Sequence, residues 1–395
     1  MTMTQSKMDE STQSNNVLFT DEQLNEKRNL CEFSASLTFG DLGVKLFSNN
    51  EALLSELTQY YKSYVSPETQ EAIETQTIEV YFVEQANTGD DLDWLEVPRE
   101  VGKTGKKEGY LDVEGGRWIK KFKTGMCFLQ RKERPVAVGQ CAENLAQMVN
   151  FINNQFLNHH LRQGFMLGHA AAFSRVDESG VASVTAIAAG SGGGKSTTML
   201  RCLEDELNAF LTNDRLLFVK RDAVESDESI QTESTQTETQ TIGLAKLPRV
   251  NPGTLLHSDR LRHILPEARQ KELLELPQSE LWTLEEKYDV QIEDEYGKGR
   301  VALKGEFKNL VMLDWSLNSD EPTQLKAVDL QKEPEQIEGL RKRPGPFYQD
   351  ENGKFADLDV MDSTEKYCDA LSHVNVYRLT GNIDFDRAFE LINAL

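Results

Sequence analysis

The nonapeptide Ala189-Gly190-Ser191-Gly192-Gly193-Gly194-Lys195-Ser196-Thr197 constrains this chain more than any other stretch. Four glycines in five positions let successive backbone N–H groups turn inward into an anion-binding concavity. Lys195 can then reach the β- and γ-phosphates of a nucleotide, and the Ser196 hydroxyl is placed to hold Mg²⁺. Gly190 through Thr197 are therefore the expected nucleotide contacts. The flanks agree with this reading. Val181 to Ala188 is a run of small and β-branched residues, as in a buried strand. Met199, Leu200, Leu203 and Leu207 recur at helical spacing, so the loop leads from a strand to a helix N-terminus, as phosphate binding requires. The first motif position is alanine rather than glycine, which a negative φ tolerates.

The rest of the composition narrows the setting. A chain of 395 residues has room for two or three domains, at roughly 100–200 residues each. Its 65 acidic residues against 43 basic ones give a net charge of −22, which argues against a general nucleic-acid binder, whose footprint is basic. Five scattered cysteines form no CxxC pair, as expected of reduced thiols in a cytosolic protein. No apolar run reaches the ~20 residues of a membrane helix, and the first thirty residues lack the hydrophobic core of a signal peptide. A cytoplasmic protein bound neither to membrane nor to nucleic acid is the expectation.

Residues 1–30 read as a disordered polar tail and 31–142 as an α+β N-terminal domain. Within the latter, strands are expected at 33–39, 44–47, 78–83, 109–113, 118–122 and 126–130, and a helix at 51–65. Lys120, Lys121 and Lys123 read as the solvated face of a strand, with a basic docking patch as the alternative. A long amphipathic helix over 143–162 opens the nucleotide-binding domain, 143–395. Inside it, the Thr- and Glu-rich 225–241 reads as a disordered insertion, and 318–350 as a charged, loop-rich insertion.

Two residues converge on the loop. If 164–173 and the strand from Val181 form a hairpin about Asp177-Glu178-Ser179-Gly180, His169 faces Ile187 or Ala188, beside the start of the phosphate loop. After the loop, the helix can end at Asn208. Phe210-Leu211-Thr212 then forms a strand that delivers Asp214 to the same edge, where ligands of open α/β sheets bind. There Asp214 can hold metal or accept a proton from an incoming hydroxyl. Arg249, in a Pro-flanked loop, has the position of a mobile phosphate clamp.

Gly168-His169, the turn, the glycine loop and Asn213-Asp214 follow the order and spacing of the HPr kinase/phosphorylase catalytic domain, which the chain resembles over about 151–317. Asn150-Phe151-Ile152-Asn153, Lys246-Leu247-Pro248-Arg249-Val250-Asn251-Pro252-Gly253-Thr254 and Leu313-Asp314-Trp315 further resemble the bacterial HPr-kinase-related kinases of the B type. The resemblance implies an α/β phosphoenolpyruvate-carboxykinase-like core. It also implies Mg·ATP as donor and transfer of the γ-phosphoryl group to a hydroxyl acceptor, in HPr kinases a protein serine. Gly192, Gly194 and Lys195 would bind phosphates, Ser196 and Asp214 hold Mg²⁺, and His169 assist transfer, with His169, Lys195 and Asp214 as the catalytic set. HPr kinases form hexamers, which leaves homo-oligomerisation open here. One of the two adjacent acids of HPr kinases, the usual base, is Asn213 in this chain. Two other readings therefore stay open: a P-loop ATPase or switch with Asp314 at the end of a Walker B strand, and a non-catalytic ATP sensor.

Overall fold

The computed structural model describes residues 18–64, 76–99, 104–177, 180–190, 192–221, 237–284, 286–350, 352–358 and 360–395. They fall into two compact units.

The first unit takes the described residues of Met1–Gln155 together with Gly345–Gln349 and Gly353–Leu358. It opens with α1 (Asp21–Asn29), which lies within the segment expected to be disordered. Thr20 and Gln23 form a reciprocal cap at its N-terminus, and its one buried leucine, Leu24, packs with Trp118 and Leu129. A single apolar side chain gives no helical periodicity to read, so the tertiary contact decides this helix. There follow β1 (Phe33–Phe39), β2 (Leu42–Ser48), α2 (Glu51–Tyr60), β3 (Gln76–Glu84), β4 (Leu95–Glu96), β5 (Glu108–Val113), β6 (Gly116–Lys121), β7 (Cys127–Arg131), β8 (Val136–Gly139) and α3 (Leu145–Leu161). The strands form one mixed sheet in the order β1-β2-β3-β8-β7-β6-β5-β4. Lys120 and Lys121 are neither solvated nor a docking patch. Lys120 is 2% exposed and pairs with Asp90 at 2.5 Å, and Lys121 pairs with Glu108. The sequence places a domain boundary at 142/143, whereas the units divide inside α3, after Gln155.

The second unit takes Phe156–Pro344, Asp350–Asn352 and the described residues of Asp359–Leu395. In chain order it comprises β9 (Met166–Gly168), β10 (Ala170–Val176), β11 (Ala182–Ala188), α4 (Lys195–Cys202), β12 (Asn208–Thr212), β13 (Leu216–Arg221), β14 (Glu238–Gly243), β15 (Arg249–Val250), α5 (Pro252–Leu256), α6 (Glu267–Leu274), α7 (Gln278–Thr283), β16 (Tyr288–Asp289), α8 (Ile292–Tyr296), β17 (Lys304–Trp315), β18 (Gln324–Val328), α9 (Thr364–Ala370), β19 (Asn375–Gly381) and α10 (Phe385–Asn393). The main sheet runs β12-β10-β11-β17-β14-β13-β9, and β19 joins the far half of β17 in parallel.

Strand alternation builds the two layers of this unit. Ala171, Phe173, Ile187, Val311 and Leu313 face a cluster that includes Met199 and Leu200 of α4, Leu255 of α5 and Ile392 of α10. Ala170, Ala172, Ala186, Ala188, Leu310 and Met312 face the opposite cluster, with Tyr367 and Ala370 of α9. Two faces covered by helices require strands apolar at every position, the pattern of a buried sheet. The unit is mixed α/β, and the whole chain is consistent with an α+β class.

Three expectations need correction here. The helix after the glycine loop ends at Cys202 rather than Asn208. The buried Asn208 amide instead donates to Cys202 O at 2.8 Å and accepts from Arg175 at 2.9 Å, so the chain turns early and Leu207 is 68% exposed. Of the segment 225–241, residues 225–236 lie outside the described residues. Its end is no insertion, since Glu238–Gly243 is β14, paired with β13 and β17. Of the stretch 318–350, the part 318–344 is likewise built into the unit. It supplies β18, antiparallel to β19, and it buries Ile337 and Leu340 completely beneath the sheet. Its apolar residues are too widely spaced among charges to register as an element in sequence.

Candidate functional site

The loop 189–194 leaves β11 at its C-terminal end and enters α4 at Lys195. Gly194 is the N-cap of α4, with φ +93°, in the left-handed region that glycine occupies without strain. Gly193 is required for a different reason, because a Cβ there would lie 2.7 Å from the Ala189 Cβ. From the neighbouring parallel strand β17, Trp315 Nε1 donates to Gly193 O at 3.0 Å. The Trp315 ring meets Phe385 edge-on at 5.1 Å. Lys195 Nζ donates to Ala189 O and Gly190 O at 3.1 and 3.2 Å. The Thr197 hydroxyl bonds the Thr254 hydroxyl of α5 at 2.8 Å.

A cavity of about 1610 Å³ opens over this loop, and Gly192, Gly193, Gly194, Lys195, Ser196 and Thr197 line it, together with His169, Asn213, Asp214 and Arg249. Gly190 is not among the lining residues; its carbonyl accepts from Lys195. Ser191 lies outside the described residues.

The hairpin β10–β11 pairs Ala170 with Ala188 and Ala171 with Ile187. His169 therefore sits one position beyond the ladder, level with Ala189, rather than opposite Ile187 or Ala188. The turn is one residue longer than the sequence suggests, being closed by Asp177 N to Val181 O at 3.0 Å. The His169 backbone is fixed by its N–H to Leu340 O at 2.7 Å, so the supposed insertion at 318–350 positions this histidine. On the other side, β12 is antiparallel to β10 and hence parallel to β11. Both strands end at the same edge, where His169 Nε2 lies 3.4 Å from Asp214 Oδ1.

The electrostatics of this edge follow from its crowded cations. Burial disfavours the Asp214 carboxylate, but the bond from His169 and the charges of Arg215 and Lys342 outweigh it. With its side chain 47% exposed to the cavity, Asp214 is desolvated only in part, and it is held well below the usual carboxylate range. Burial and the charges of Lys342 and Lys287 lower Lys195 to about 8 against the pull of Asp214. Burial and the charge of Arg215 lower Lys246 to about 8 likewise. Arg249, the expected clamp, lines the cavity and pairs with Asp289 at 3.0 Å across the β15–β16 ribbon. Asn213 Oδ1 and Asn251 Oδ1 are buried without a hydrogen-bond partner among the described residues.

Asp314, next to last in β17, pairs with Arg378, whose Nε lies 2.7 Å from its Oδ2. It is not among the residues that line the cavity. Sequence reasoning passed over Lys246, Lys287, Lys342 and Trp315 as site residues. They come from four separate segments, and only the Lys246-to-Thr254 and Leu313-to-Trp315 stretches gave any signal.

No family model matches the chain, and no curated protein matches it. Among solved structures, it overlaps with the HPr(Ser) kinase/phosphatase from Coxiella burnetii at a TM-score of 0.24 and 9% identity, over 58% of this chain and 95% of that one. The functional reading therefore rests on the residues of the site. Among the described residues, no helix is long and apolar enough to cross a membrane.

Proposed function

We propose that the second unit is an HPr-kinase-like P-loop kinase that transfers the γ-phosphoryl group of ATP to a hydroxyl acceptor. The observation that carries this reading is the meeting of Asp214 and His169 at the mouth of the glycine loop, each delivered by a strand flanking β11 or its hairpin partner. A nucleotide held by the loop amides and Lys195 then points its terminal phosphoryl group at that pair. Strand order sets the other end. Leu317, Ile383 and Phe385 line the cavity beyond β17 and β19, away from Asp214, and offer the base an apolar seat.

In the transfer, the acceptor oxygen forms a bond to Pγ and the bond from Pγ to the bridging oxygen breaks, its electron pair leaving on ADP. The hydroxyl proton passes to the Asp214–His169 pair. Asp214 orients the imidazole and, being held ionised, remains a hard oxygen donor. Ser196 and Asp214 suit Mg²⁺, which supplies charge neutralisation on the phosphates when bound. Asn213 contributes an amide and no base, so the dyad replaces the acid pair. Asp314, neutralised by Arg378, gives the Walker B alternative no support.

The test is incubation with γ-labelled ATP and Mg²⁺ in an extract of the native host, with wild type beside Lys195→Ala. Label transferred by wild type alone is the expected result. ATP bound without any labelled product would leave only the sensor reading.

A further inference from the structure

The peptide between Gly193 and Gly194 joins two residues that lack a Cβ. Flipping it changes only ψ of Gly193 and φ of Gly194, so its own chain scarcely restrains it. The two orientations act on an anion in opposite ways. In one the Gly194 N–H is offered to it, and in the other the Gly193 carbonyl is, which repels it. A cradle for phosphate therefore needs a contact from outside the loop to choose between them.

The Trp315 indole makes such a contact, donating from Nε1 to Gly193 O at 3.0 Å. Its own place is fixed from two directions. Trp315 pairs with Gly381 at the end of the β17–β19 ladder, and its ring meets Phe385 of α10 edge-on at 5.1 Å. Both rings press on the loop, since a Cβ added to Gly194 would lie 3.2 Å from Trp315 Cζ2 and 3.3 Å from Phe385 Cε1. Neighbouring carbonyls are occupied as well. Lys195 Nζ bonds those of Ala189 and Gly190, and Thr198 bonds Gly194 O through its N–H at 2.9 Å and its hydroxyl at 3.0 Å. The Gly194 N–H, by contrast, has no backbone acceptor among the described residues. The described peptide bonds are trans, so the C=O and N–H of one peptide point in opposite directions. Gly193 and Gly194 line the cavity, and Trp315 does not.

From this we infer that Trp315 is a positioning residue for nucleotide binding: its indole N–H holds the Gly193 carbonyl and so turns the Gly194 N–H into the cavity as a donor to phosphate oxygens. The inference rests on the reading of the loop as a nucleotide cradle and names what sets one of its donors. Trp315 acts through the loop and touches no phosphate itself. Its side chain has two separable duties. The N–H orients the peptide, and the bulk of the ring packs against Gly194 and Phe385.

Two substitutions take these duties apart. Trp315→Phe keeps an aromatic ring and removes the N–H. Trp315→His removes the benzo ring and keeps an N–H, because imidazole Nε2 takes the ring position of indole Nε1. Wild type and both variants are titrated with Mg·ATP and with inorganic triphosphate at about pH 7.5, where an ordinary imidazole is mostly neutral. Thermal unfolding is followed in parallel. Trp315→Phe should weaken both ligands by one common factor, roughly 3- to 10-fold, the loss of a single hydrogen bond. Trp315→His should recover most of that affinity while melting below Trp315→Phe, since it leaves the larger void. Affinity then follows the N–H and stability follows the ring, an opposition that a merely structural tryptophan does not produce. Undiminished binding by Trp315→Phe, a loss in Trp315→His as large as in Trp315→Phe, or a loss for ATP without one for triphosphate would overturn the inference. So would a wild type that binds ATP but not triphosphate, because the loop amides would then not carry the affinity. Failure of wild type to bind ATP at all would instead remove the nucleotide reading beneath it.

Discussion

Gly193→Ala is the sharpest probe of the loop. The new Cβ would lie 2.7 Å from the Ala189 Cβ and 3.2 Å from Gly190 O, where carbon atoms normally rest about 3.5–4.0 Å apart. Neither neighbour is the end of a flexible side chain, so the loop backbone itself must move. Overpacking of this kind costs about 1–3 kcal/mol. Ala189, 3% exposed, is the other half of the clash, and Ala189→Gly removes its methyl group. Alone, that change loses about 0.8 kcal/mol of burial and roughly 0.5–1 kcal/mol through added backbone freedom. If steric contact is the mechanism, the double variant recovers most of the Gly193→Ala cost, and the coupling between the sites is about 1–3 kcal/mol. The assay is nucleotide titration of the four proteins, with thermal unfolding in parallel to separate loop distortion from loss of fold. Gly193→Ala should weaken nucleotide binding by roughly 5- to 150-fold, and Ala189→Gly should rescue it in the double variant. Strictly additive losses would refute the steric account and leave backbone conformation as the reason for glycine.

Lys195 and Lys246, each lowered from 10.5 to about 8, make two opposite pH effects. Between about 8 and 10.5 the unfolded chain holds protons the native state has lost, so their contribution to stability rises with pH across that window, and below about 8 the penalty is fully present. Nucleotide affinity runs the other way and falls above pH 8 as Lys195 loses its ammonium charge; a flat affinity profile from pH 7 to 10 would contradict that role. Asp214→Asn should lower transfer by about 10²–10⁴-fold, whereas Asp314→Asn, at a residue that does not line the cavity, should leave it nearly intact, both read as initial rates of label transfer. Leu340→Ala empties a fully buried site, costing about 2–5 kcal/mol or roughly 5–15 °C in melting temperature. Because Leu340 O holds the His169 N–H, it should also slow transfer; unchanged stability would return 318–350 to the status of an insertion. Deleting 225–241 should destabilise the second unit by removing Thr239 and Thr241, whose hydroxyls donate to Ala370 O and Leu217 O, and a melting curve identical to wild type would show β14 to be dispensable.

Much of the site was legible because it is local. The turn, the glycine loop and the start of α4 lie within thirty residues, and hydrophobic alternation along β10 and β11 is enough to bring His169 beside the loop. The strand after α4 carries Asp214 to the same edge because parallel strands joined by one helix end on one side of a sheet. What misled the reading was also local. Leu207 continued the helical spacing of α4, yet Asn208 found a better use for its amide in a network with Arg175, Asp205 and Asn393.

By itself, then, the sequence determined the strand–loop–helix unit, the loop's need for glycine and the arrival of His169 and Asp214 near it, since each follows from chain periodicity over a few residues. Tertiary structure alone decided that α1 forms around a single buried leucine and that 318–350 holds His169 in place. It also decided that Asp314 pairs with Arg378, and that Lys195, Lys246 and Lys287, from three segments, share one cavity. Periodicity reports the face a residue presents, but charges and lone apolar side chains acquire partners only when distant segments pack together.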